Sequence, residues 1–123
     1  MTMSALIMIV AGIILSFLPA EVGSLMDLKG APWDNVILQI LGAMYFSFGM
    51  INWMAKANLI GGIYGRPIAV GNFAHFMMGG LALIKVYYNS HELAMLPLTI
   101  IYLVLGVLFG IVLFTHPIQD KTD

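Results

Sequence analysis

The sequence predicts an all-α integral membrane bundle of four transmembrane helices, with a short interfacial helix after the first. Three observations carry that reading. The chain has 123 residues, of which 61% are hydrophobic and only 9% charged, whereas a soluble domain is about one quarter charged. A folded domain of this size still exposes much of its surface, so lipid is the solvent that fits a mean hydropathy of +0.98. The apolar residues also fall into four long runs, parted by short stretches holding the prolines, glycines and charges. One transmembrane domain, residues 1–123, is expected.

The first run, 1–18, is almost wholly apolar. At about 1.5 Å per residue it covers about 27 Å, just enough for the hydrocarbon core. A secretory signal fits less well. No Lys or Arg precedes the run, and cleavage after Ala20 would put Leu18 where a small residue is wanted. Gly12 and Ser16 offer a small face to a neighbour. Pro19 ends the span.

Residues 20–29 read as the interfacial helix. Val22, Leu25, Met26 and Lys29 follow helical spacing, with Glu21, Ser24 and Asp27 on polar sides. Gly30 suits its stop. Trp33 fits an aromatic belt, and Asp34 is a good N-cap for the next helix.

The second span is 35–55. Gln39, Gly42, Tyr45, Phe46, Gly49, Asn52, Trp53 and Lys56 recur at three and four and form one stripe of small, amide and aromatic residues. Opposite lie Ile37, Leu41, Met44, Phe48 and Ile51. The first stripe is expected to meet protein and the second lipid, since an uncovered amide is costly in hydrocarbon.

A glycine-rich, apolar connection, 57–66, leads to the third span, 67–87, which opens on Pro67 as first helical turns favour. Gly71, His75 and Gly79 share a face, with Asn72, Phe76 and Gly80 beside it. Lys85 can snorkel, and Tyr87 and Tyr88 fit the second aromatic belt. The fourth span, 93–115, carries Gly106 and Gly110 as a GxxxG pair. Beyond it lies a polar tail.

Several chemistries find no footing. The absence of cysteine removes thiol, disulfide and cysteine–metal sites within the chain. Five Lys/Arg against six Asp/Glu give no footprint for nucleic acid. His91-Glu92 begins like a zinc-protease HExxH, but residue 95 is Met. The glycine loop lacks the spacing of an NTPase phosphate loop. No span contains Asp or Glu, which leaves His75 as the one titratable group at depth for proton coupling. His75 and His116 lie at different depths, against a haem held within one chain. No metal site and no cofactor are expected, and the absence of a catalytic set argues against an enzyme.

What remains is a polar cluster with Asn52, Trp53, Lys56, Tyr64, Arg66, Asn72 and His75 as candidate ligand-binding residues. If the second and third spans are antiparallel neighbours, Asn52, Asn72 and His75 share a depth beneath Lys56, Arg66 and the glycine loop. Such a site suits an anion. The competing reading makes the amides and the imidazole packing joints, with Lys56 and Arg66 as headgroup anchors.

The residues support three functions, in order. The first is a non-enzymatic membrane subunit or scaffold that binds lipid or partner helices, as a homodimer or in a larger complex. The second is a binding or transport protein for an anionic or amphipathic small molecule. The third is a haem or quinone electron-transfer subunit. Size and layout resemble small bacterial membrane proteins in general, so a bacterial inner membrane is expected. Lys56, Arg66 and Lys121 against Lys29 and Lys85 favour cytoplasmic termini.

Overall fold

The structure is a computed structural model, and it describes residues 1–28, 30–57, 65–91 and 93–115. The fold is all-α, and the described residues contain no strand. The helices are α1 (Thr2–Phe17), α2 (Pro19–Leu25), α3 (Pro32–Ala55), α4 (Gly65–Ser90) and α5 (Leu96–Phe114), the last preceded by a single 3-10 turn, Leu93–Met95. Among the described residues, α3, α4 and the segment ending in α5 are each long and apolar enough to cross a membrane, and α1 with α2 adds a fourth if the bent pair is one span. The chain divides into two compact units, residues 1–57 and 58–123.

In the first unit α1 and α3 pack antiparallel along a line of small residues. A Cβ on Gly12 would lie 2.5 Å from the Phe46 nitrogen and 2.8 Å from the Gly42 oxygen, while one on Gly42 would lie 2.7 Å from the Ser16 nitrogen. Gly49 is as close to Ile9, at 2.8 Å from its nitrogen. Apolar side chains gain little by leaving lipid for each other, so helices in a bilayer associate by close packing, and small residues let the backbones approach. The expected faces at Gly12/Ser16 and Gly42/Gly49 are thus partners of one another.

Two helix ends in this unit differ from the sequence reading. Asp34 is not the N-cap of α3. Ala31 holds that place and Pro32 follows as the first helical residue; the Asp34 carboxylate reaches back to accept the Ala31 N–H at 3.0 Å. Ala31 has no side-chain acceptor, so this is the return half of a capping box alone. The helix after Pro19 is also shorter than 20–29. It stops at Leu25 through a Schellman turn, with Leu28 N–H donating to Gly23 O at 2.9 Å and Asp27 N–H to Ser24 O at 3.2 Å. Asp27, with φ of 55°, fills the left-handed position that usually goes to glycine. Asp27→Gly is expected to stabilise the first unit by about 0.5–1 kcal/mol, visible as a small rise in thermal midpoint in detergent.

In the second unit α4 and α5 pair antiparallel by the same means. Gly106 faces Met77 and Gly110 faces Phe73, each with 3.0 Å from a built Cβ to the nearest side-chain atom. The Tyr102 ring lies over Gly79, 2.5 Å from where a Cβ would be. The most buried line of α4 is Ala69, Asn72, Phe76 and Gly80, with Gly71, His75 and Gly79 flanking it. The face expected at 71, 75 and 79 is therefore the shoulder of the contact and not its centre.

Hydroxyls within the apolar helices satisfy themselves locally. Ser47 donates to Ala43 O and Thr99 to Met95 O, both at 2.8 Å, and Thr115 to Ile111 O at 2.7 Å. This back-bonding is how a helix in hydrocarbon accommodates such groups without water.

Candidate functional site

The seven candidate residues fall in different parts of the chain. Asn52, Trp53 and Lys56 belong to the first unit; Arg66, Asn72 and His75 belong to the second. Tyr64, like the glycine loop around it, lies outside the described residues.

Asn52 is fully buried, at 0% exposure. Helix α3 brings it opposite the first turn of α1. There its Nδ2 donates to Ser4 Oγ at 3.4 Å and lies 3.7 Å from Met8 Sδ. Ser4 in turn donates to Met1 O at 2.8 Å, and Ser4 and Met8 are 1% exposed. The amide is thus a polar joint tying the end of α3 to the start of α1. Ser4→Ala is expected to destabilise the first unit by about 1 kcal/mol in detergent melts. Thr99→Val should do much less, because Thr99 bonds a carbonyl one turn back along its own chain and not a neighbouring helix.

Trp53 and Lys56 face elsewhere. Trp53 is one residue on from Asn52, a step that turns its side chain about 100° around the helix, and Lys56 is the C-cap, one turn beyond Asn52 at the open end of α3. Both are exposed, and the Lys56 ammonium sits 3.2 Å from the Trp53 ring centroid. A cation over an indole at the end of an apolar helix fits a membrane–water boundary. The same rotation explains why Gln39 is exposed while Leu38 is buried; Phe46 lies with its backbone against Gly12 and its side chain exposed.

In the second unit Arg66 is exposed on the first turn of α4. Asn72 is 0% exposed, and its Nδ2 donates to Ile68 O at 2.8 Å on its own helix. His75 is half-buried, one turn further on. Its ring centroid lies 5.1 Å from that of Phe76 and 5.7 Å from that of Tyr102. Phe76 meets Tyr102 edge-on at 5.4 Å and stacks on Phe109 at 5.9 Å. The imidazole therefore belongs to an aromatic cluster built by α4 and α5, with ring separations in the favourable range.

Sequence reasoning missed the partners more than the residues. Ser4 and Met8 were hidden in an apolar run, although Ser4 is a lone hydroxyl at the start of it. Tyr102 lies four residues before Gly106 and Phe109 three after it, and that spacing places them on the same face as Gly106. Among the described residues, no group of three or more His, Asp or Glu side chains is gathered to hold a metal ion. Comparisons of the chain with protein-family models, with curated proteins and with solved structures return no match.

Proposed function

We propose that this chain is a non-enzymatic membrane subunit or scaffold, whose helical pairs present apolar outer faces to lipid and to partner helices. The observation that supports this reading is the use made of the buried amides. Asn52 donates to Ser4 and Met8 across a helix pair, and Asn72 to the carbonyl of Ile68. The Asn52 contact ties α3 to α1, as interhelical polar contacts in membranes do, while the Asn72 bond stays within α4. Lys56 and Arg66, both exposed at helix ends, act as headgroup anchors under the same reading, with the termini on the cytoplasmic side of a bacterial inner membrane.

Mass spectrometry of the chain purified intact in mild detergent tests this. The expected result is retention of a membrane protein partner, or a second copy, at fixed stoichiometry. A stoichiometric anionic or amphipathic small molecule and no protein partner would favour binding or transport instead. A Soret band in the visible spectrum would favour the electron-transfer reading.

A further inference from the structure

The paired helices of the first unit differ in length, and their register shows where the excess lies. α1 has 16 residues and α3 has 24. Ser16, near the end of α1, lies against Gly42. The chain then turns by 99° between α1 and α2, and α2 passes α3 at Leu38, whose Cδ1 would be 3.7 Å from a Cβ on Gly23. Pro32 starts α3 six residues, or about 9 Å, beyond that level.

If α1 crosses the bilayer, a 99° turn lays α2 along its surface. Glu21, Ser24 and Asp27 are all exposed on and just after α2, so a polar and acidic layer sits at the level of Leu38. Hydrocarbon does not extend past such a layer. The opposite boundary is marked by Lys56, whose ammonium folds back over the Trp53 ring and so lies near the depth of Trp53. From Leu38 to Trp53 is about 23 Å along the helix, and to Lys56 about 27 Å. Any tilt shortens both.

We propose that the first helical pair is built for a hydrocarbon layer of about 25 Å, thinner than the common core of about 30 Å, and that the lipid it fits is a short-chain or locally thinned bilayer. The outer turns of α3, residues 32–37, then stand among the headgroups, and the boundary falls near residue 38 in place of residue 35. This also accounts for Gln39. It is exposed on α3, and side chains lean toward the helix N-terminus, so its amide reaches the polar layer. Mismatch of a few ångströms is enough to sort proteins between bilayers.

The cysteine-free sequence allows a direct test. Val36→Cys, Ile37→Cys and Met44→Cys, each at an exposed position, are reconstituted singly in permeabilised vesicles of phosphatidylcholine with 14-carbon chains and treated with a water-soluble maleimide. Labelling at positions 36 and 37 with none at 44 is expected. Labelling absent from both 36 and 37 overturns the proposal. Where position 44 also labels, the maleimide reaches the lipid-facing surface and labelling does not discriminate, and the unsubstituted chain decides. Its thermal midpoint should be highest in phosphatidylcholine with 14-carbon chains and fall as the chains lengthen; a maximum at 18 carbons or more overturns the proposal.

Discussion

Gly12→Val is expected to abolish the α1–α3 pair. The first added carbon already meets the Phe46 nitrogen at 2.5 Å and the Gly42 oxygen at 2.8 Å. Those are backbone atoms, which cannot rotate away as a side chain would. The helices must separate, and separation removes the packing that joins them in lipid. Overpacking ordinarily costs about 1–3 kcal/mol; two further methyl groups against a neighbouring backbone should take this substitution to or above the upper end. Gly23→Ala is the control, because its Cβ finds only ordinary contacts, the nearest at 3.7 Å. Thermal unfolding in detergent should therefore show a large loss for Gly12→Val and almost none for Gly23→Ala. Equal midpoints would mean that the close approach is not what holds the pair.

Asn52→Asp should be nearly as damaging. The change is almost isosteric, so steric loss contributes little. A carboxylate would instead replace an amide at 0% exposure, where the amide donates to Ser4 Oγ and faces the Met8 sulfur. Neither Ser4 nor Met8 carries a positive charge to compensate. Removing a charge from water without a partner costs several kcal/mol even after relaxation. Asn52→Ala should lose less, since it deletes a hydrogen bond and opens a small cavity without burying a charge. If both variants melt with the parent chain, Asn52 is not the joint described.

Much of this architecture could be read from the residues. Glycine and serine at four-residue spacing in the first run, Gly42 and Gly49 in the second, and Gly106 and Gly110 in the last all occupy helix contacts, because a bilayer rewards close backbone approach and little else. The pairing itself was not legible. A small face announces that a neighbour comes close but not which neighbour, and Gly12 could equally have met Gly71 or Gly106. The lateral extent of the stripe on α3 was also overread. Positions 39 and 53 share its composition, yet each sits one residue beyond a buried position, which turns it outward, and at 46 the backbone meets Gly12 while the side chain is exposed.

The polar residues were found, but their company was not. Asn52 stands out because an amide is rare in an apolar run. Its partner Ser4 lies 48 positions earlier, and nothing local in the sequence links the two. Asn72 bonds its own helix four residues back, a reading that sequence spacing permits but does not select. For His75 the nearest structural fact is the aromatic cluster with Tyr102, and an aromatic on a distant helix leaves no mark near residue 75. The chain turn at Asp27 shows the converse. Gly30 is the residue a helix stop would recruit, but the hydrogen bonds close three residues earlier, on a side chain that tolerates positive φ.

The claim that the polar residues are structural is tested most directly by thermal unfolding of Asn72→Ala and His75→Ala in detergent, side by side with the parent chain. If these residues are packing joints, both variants melt lower than the parent whether or not any small molecule is added. If they line a ligand site, both keep the parent midpoint in the absence of ligand and lose only the increment that a bound anionic or amphipathic molecule confers, and that result would contradict a structural role for the two side chains.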